Sequence, residues 1–172
     1  MRAGVFLDTS AWFASISKRE HHHASEHQAY LTLLEGARRL VTSQLVVAEM
    51  HALLVRRLGR QAGLNFLDRV YGDATHDVRV LDRDVEAAAI ERWLRPLRDH
   101  GISLCDAVSF ELMRREGLQR AFALEEHPIN LLRDRQVDVL FPGKLMHGAG
   151  GPNAFGHGLH PSEDFAERLA AA

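Results

Sequence analysis

Short runs of β-branched and aliphatic residues alternate along this chain with longer stretches in which apolar positions recur every three or four residues. That alternation is the pattern of βαβ units around a parallel sheet. It predicts a first strand over Gly4–Leu7 that leaves Asp8 at its carboxyl end, with Thr9 or Ser10 capping a helix that begins at Ala11. Tyr30, Leu33, Leu34 and Ala37 predict a second helix from about Ser25 to Gly36, and Leu40–Thr42 a second strand. From Ser43 onward Val46, Val47, Met50, Leu53, Leu54 and Leu58 keep helical spacing until Gly59 closes the segment, with Glu49 inside it. A helix over Gln61–Tyr71, a strand over Val78–Leu81 and a helix over Val85–Leu97, capped by Asp82 or Asp84, follow. Ser103 opens a further helix that ends near Gly117. Ala121–Leu124 and Val137–Phe141 are the last two strands, separated by a short helix or turn around Ile129–Arg133.

The predicted fold class is α/β, a three-layer arrangement with a five-stranded parallel sheet flanked by helices. Residues 1–142 form one domain. Beyond Pro142 and Gly143 the chain is crowded with Gly148, Gly150, Gly151, Pro152, Gly156, Gly158 and Pro161, which marks 143–172 as a tail. Ser162–Ala171 can form one short helix there, stable only against a docking surface.

Composition narrows the picture. A chain of 172 residues with 46% hydrophobic content can build one sizeable core, which excludes a disordered protein. Its longest apolar run, Ser43–Val55, is broken by Gln44, Glu49 and His51 and falls short of the ~20 residues a membrane span needs. Strand-like sequence by Gly4 leaves no room for a leader, and the single cysteine, Cys105, makes neither an intrachain disulfide nor a cysteine-based metal site. Both observations predict a cytoplasmic protein. A formal charge of -2 shows no overall basic character.

Candidate chemistry lies in the acids. Asp8 ends a strand on the side where open α/β sheets place ligands, although helix capping alone accounts for it. Glu49 interrupts an apolar helix, with a polar face shared with His51 and Arg56 as the plainer explanation. Asp106 stands three residues after Ser103 and so completes a capping box. Glu125 and Glu126 follow a strand directly, where acids are commonly only solvated. Taken together the weighing changes, because parallel topology carries strand ends and the following helix starts to one sheet edge. Four carboxylates there select a hard cation, Mg²⁺ or Mn²⁺, suited to in-line displacement on a phosphodiester. Setting the four aside leaves 19 acids against 21 basic residues, a formal +2. Of those basic residues 19 are arginines, and Arg38, Arg39, Arg56, Arg57, Arg60, Arg114 and Arg115 are candidates to hold a phosphate backbone, the alternative being solvated helix faces.

Three segments carry a family resemblance: Val5-Phe6-Leu7-Asp8-Thr9-Ser10-Ala11, Ser43 to Leu54 with its Ala48-Glu49-Met50, and Ser103 to Phe110 continuing through Met113 and Gly117 to His127. Over residues 3 to 142 the chain resembles a PIN-domain protein of the VapC toxin type. The resemblance implies a PIN-like five-stranded sheet, a Mg²⁺- or Mn²⁺-dependent endoribonuclease acting on RNA, and pairing with a small antitoxin protein; a homodimer stays open. It also implies that the family's acids fall on Asp8, Glu49, Asp106 and Glu125, as catalytic and metal-binding residues. Glu125 departs from the family, which usually has aspartate there, and the following Glu126-His127-Pro128 matches it only at the histidine.

Two other readings compete. A PIN-like module that binds RNA or protein with weak or no catalysis is motivated by glutamate at 125 and proline at 128. A zinc peptidase is motivated by His23-Ala24-Ser25-Glu26-His27, an H-x-x-E-H pattern that needs both histidines on one helix face. With Ser25 as a helix cap, His23 falls outside the helix, so surface histidines that bind metal only adventitiously, with His21 and His22, are the better account.

Overall fold

The computed structural model describes residues 4–21, 23–36, 39–124, 127–135 and 138–140. The expected residues 143–172 of the tail, and Glu125 and Glu126, lie outside them.

The sheet is parallel throughout. Strands β1 (Val5–Leu7), β2 (Leu40–Ser43), β3 (His76–Arg79) and β4 (Arg120–Phe122) are joined at the edge by β5 (Asp138–Leu140), in the order β3-β2-β1-β4-β5. Phe6 of β1 sits opposite Val41 on one side and Ala121 on the other. The first crossovers build outward from β1 to β2 and β3, and the chain then returns to the opposite side of β1 with β4. The order therefore reverses between β1 and β4, and a crevice opens at their carboxyl ends.

Among the described residues six α-helices fill the crossovers: α1 (Thr9–Ile16), α2 (His23–Gly36), α3 (Gln44–Leu58), α4 (Arg60–Gly72), α5 (Arg83–Ala89) and α6 (Leu104–Glu116). Their starts and stops follow from local chemistry. Ser43 and Asp82 cap α3 and α5 by accepting from Val46 N and Val85 N, and Gly59 and Gly117 end α3 and α6 with positive φ angles of 98° and 64°. Beyond α5 the chain makes a π-helical turn, Ile90–Leu94, in which Arg95 N donates to Ile90 O at 3.0 Å.

Alternation along β3 assigns the helices to faces. His76 stacks on Trp12 of α1 at 5.6 Å between centroids and shares a 2.8 Å hydrogen bond with Tyr30 of α2. Its neighbour Asp77 pairs instead with Arg39, and Arg39 and Arg79 both reach Glu116 at the end of α6. Helices α1 and α2 thus cover one face and α6 the other. Trp12, fully buried, anchors the first face against Phe66 of α4, edge to face at 5.1 Å.

Helices α3 and α4 pack closely at Gly63. A Cβ there would lie 2.6 Å from Val55 Cγ2 and 3.0 Å from the His51 ring. Gly63→Ala is expected to lower stability by about 1 kcal/mol, the overpacking outweighing the better helix propensity of alanine. Chemical denaturation of the two proteins checks this.

Several expectations shift. Helix α1 starts at Thr9, two residues early, because Asp8 and neither Thr9 nor Ser10 is its cap. Helix α2 includes His23, since it starts at His23 and not Ser25. The predicted Val78–Leu81 strand lies at His76–Arg79, and Val80, left out of it, is 83% exposed. The helix expected over Val85–Leu97 is regular only to Ala89.

Candidate active site

Asp8 follows β1 directly, and its backbone N–H still donates to Phe122 O of β4 at 3.1 Å. Its side chain is nearly sealed from solvent, 3% exposed for the residue. The Oδ2 atom accepts from Ser10 N at 2.9 Å and Ser10 Oγ at 2.6 Å. Ser10 Oγ in turn accepts from Leu124 N at 3.2 Å, so one hydroxyl links the end of β1 to the segment leaving β4.

Asp106 arrives from the first turn of α6. Its Oδ2 accepts from Ser103 N and Ser103 Oγ, both at 2.7 Å, while its own N–H donates to Ser103 Oγ at 3.1 Å. The capping box is complete, and it leaves Oδ1 turned toward Asp8's side of the crevice.

His127 lies between the two acids. Its Nε2 is 3.3 Å from Asp8 Oδ2 and 3.1 Å from Asp106 Oδ1. Its Nδ1 accepts from Ile129 N at 3.2 Å. One ligand atom from each of Asp8, Asp106 and His127 falls within 4.8 Å of the others, although the two aspartates are 98 positions apart in the sequence.

Glu49 does not join this cluster. It is exposed on α3, with Oε2 accepting from Thr9 Oγ1 at 2.5 Å, yet its charge is felt by both His127 and Cys105. The structure thus brings two of the four expected acids together, holds Glu49 beside them through Thr9, and leaves Glu125 outside the described residues.

The electrostatics follow from burial and pairing. Burial pushes the Asp8 carboxyl above its ordinary range, against the charge of His127 and the Ser10 hydrogen bonds, and the neighbouring Asp106 charge pushes the same way. Burial also raises Asp106, but hydrogen bonds from His127 and Ser103 outweigh it and hold that carboxyl low. For His127 burial disfavours the charged ring, yet its bond to Asp106 and the charges of Asp8, Asp106 and Glu49 win and raise it. Burial and the surrounding acids push the Cys105 thiol up, away from the thiolate form. Two facing carboxylates, one of them buried with Oδ1 reached by no hydrogen bond among the described residues, fit a hard divalent cation.

Other candidates are reassigned. Arg114 and Arg115 are bonded to Glu111, and Arg39 to Asp77 and Glu116, so these three serve ion pairs within the fold. Arg56 and Arg57 sit in the last turn of α3, about 10–12 Å along the helix from Glu49. His23 and His27 do share a face of α2, with rings 5.3 Å apart, but their Nδ1 atoms are bonded to Ala14 O and Ser15 O of α1. They pin α2 to the end of α1, and among the described residues no third ligand joins them.

A parallel sheet with paired aspartates at its central carboxyl edge defines an α/β protein with an acid-lined, cation-fitting crevice. The model of the PIN domain matches residues 5–127, and the chain belongs to that family. It is homologous to toxin ribonucleases of Mycobacterium tuberculosis. The 23S rRNA-specific endonuclease VapC20 is 29% identical over 121 residues, 70% of this chain and 88% of that protein. Ribonuclease VapC26 is 29% identical over 129 residues, 75% of this chain and 92% of that one. The crystal structure of VapC20, described as a Sarcin-Ricin loop cleaving toxin, superposes with a TM-score of 0.64 at 28% identity, covering 70% of this chain and 89% of that chain. No described helix is long and apolar enough to cross a membrane.

Proposed function

We propose that this protein is a divalent-metal-dependent endoribonuclease, the toxin of a toxin–antitoxin pair, hydrolysing RNA phosphodiesters at Asp8, Asp106, Glu49 and Glu125. The observation that carries the reading is the convergence of Asp8 and Asp106 at the reversal point of the sheet. Mg²⁺ or Mn²⁺ held by these aspartates would supply Lewis acidity at a phosphate oxygen and a more acidic water. The chain's own part is to orient them: Ser10 and Ser103 each fix one oxygen of an aspartate, which leaves the other for the cation. Glu49, held by Thr9, would accept a proton from an attacking water. Incubating a mixed RNA with the purified protein and Mg²⁺, Mn²⁺ or chelator tests the reading: cleavage with metal and none with chelator is expected. RNA binding that is equal with and without Mg²⁺, with no cleavage, would favour the binding-module reading instead. A small protein encoded beside this one and inhibiting the cleavage would identify the antitoxin.

Glu125 is the fourth acid of this proposal, one methylene longer than the family's aspartate. That difference exceeds the ~0.5 Å tolerance of a preorganised site. Glu125→Asp is therefore expected to raise cleavage or lower the Mg²⁺ needed for half-maximal rate, and Glu125→Ala to lower the rate. Glu126→Ala should do neither, because the family resemblance puts the fourth acid at 125 and not at 126. Silencing by Glu126→Ala with neutral changes at 125 would move the fourth acid to 126.

A further inference from the structure

We propose that His127 is a resident hydrogen-bond donor that holds the place between Asp8 and Asp106, which a cation must take from it, and is not one of the cation's ligands. The inference rests on the metal-dependent reading above. Its basis is the other nitrogen of the ring. Nδ1 accepts the Ile129 N–H at 3.2 Å, so its lone pair is committed and it carries no proton. The ring proton is then on Nε2, the atom that faces Asp8 Oδ2 at 3.3 Å and Asp106 Oδ1 at 3.1 Å. A nitrogen that binds a metal presents a bare lone pair. Nε2 presents a hydrogen.

The oxygen inventory shows what is contested. Asp8 Oδ2 is held twice by Ser10, and Asp106 Oδ2 twice by Ser103. The atoms free of these caps are Asp8 Oδ1 and Asp106 Oδ1, and the second of them is the one His127 occupies. Without metal, Nε2–H lies between two acids that repel each other and offsets that repulsion. With metal, Asp106 Oδ1 is released. His127 thus competes with the cation for Asp106 Oδ1 and sets the threshold for loading the pair, as a positioning residue.

Mn²⁺ binding to the full chain, followed by the electron paramagnetic resonance of free Mn²⁺, reads this without any catalysis. A donor to a carboxylate contributes on the order of one factor of ten in an equilibrium, so His127→Ala is expected to bind Mn²⁺ about tenfold more tightly than the wild type. Weaker binding would make His127 a ligand, and equal binding would make it a bystander; either overturns the proposal. A second measurement uses the wild type alone: ring ¹⁵N shifts of His127 in Mg²⁺-saturated protein should show the proton still on Nε2. A bare Nε2 with a protonated Nδ1 would overturn the proposal whether or not the variant folds. Mn²⁺ binding to neither protein would overturn the metal-dependent reading itself, and this inference with it.

Discussion

Asp8→Asn and Asp106→Ala are each expected to cut metal-dependent RNA cleavage by about two to three orders of magnitude, the usual scale for losing one group that stabilises developing charge. Their effects on stability should differ in sign. Asp106 also closes the capping box of α6, so its loss costs ~1 kcal/mol and lowers Tm by about 2–4 °C in a chain of this size. Ser103→Ala breaks the same box and leaves the carboxylate, so it should cost similar stability while retaining far more activity. Asp8 behaves otherwise. Because burial raises its folded pKa above 3.8, the stability it contributes is present below pH 3.8 and is lost as pH rises through the folded value. At neutral pH the burial of this carboxyl is a cost, so Asp8→Asn, which keeps the cap, should leave Tm unchanged or raised in metal-free protein. Activity assays paired with thermal melts test both, and full cleavage by either variant removes the proposed site.

The second large effect is expected farther along α6, outside that crevice. Glu111 is an acid with no exposed surface, on α6. It accepts from Trp93 Nε1 at 3.2 Å, from Arg114 at 2.7 and 3.0 Å and from Arg115 at 2.9 Å, with Arg92 at 3.4 Å. Trp93 and Arg92 belong to the π-helical turn, so this one carboxylate ties that turn to α6. The Arg114 hydrogen bonds, chiefly, hold it down to about 2 against its burial, with help from Arg115 and Trp93. Glu111→Ala leaves the Trp93 N–H without this acceptor and should cost about 2–3 kcal/mol, at the lower end for a buried ion pair because the arginines are a third to a half exposed and resolvate. The sign with pH follows from a depressed carboxyl: its stabilisation is present above about 4.5 and fades as pH falls toward about 2. Urea midpoints of wild type and Glu111→Gln should therefore differ most at neutral pH and converge in acid. A constant gap across that range would show that packing, and not charge, carries the effect.

How much of this was legible in the sequence depends on whether the signal was local. Caps are local, and Ser43, Asp82, Ser103, Gly59 and Gly117 mark the helix ends they were expected to mark. Strand β3 was misplaced by two residues because its polar members are satisfied by partners remote in sequence: His76 by Tyr30, and Asp77 and Arg79 by Arg39 and Glu116. Hydrophobic pattern then favoured the apolar but exposed Val80. At the site, strand-end and helix-start positions pointed to Asp8 and Asp106, whereas Ser10 was read only as a candidate cap. Its role depends on a bond to Leu124, which no spacing rule contains. His127 entered through family position without a role, because four carboxylates by themselves suit a hard cation. Glu111 went unnoticed although Arg114 and Arg115, at i+3 and i+4, were visible; read as phosphate contacts, they concealed the acid they serve.

The double duty of Asp106, as cap and as site acid, bears on how such genes decay. A copy released from selection for cleavage is still penalised for losing this aspartate, because its helix start would fray. Asp8 caps α1 in the same way, but asparagine caps a helix equally well and has no charge to bury, so folding alone does not hold aspartate at that position. Inactivated descendants should therefore drift from aspartate to asparagine after the first strand early and keep the helix aspartate long after function has gone. A census of silent copies that relied on the helix acid would count fossils as living enzymes, whereas one that read the residue after the first strand would separate them.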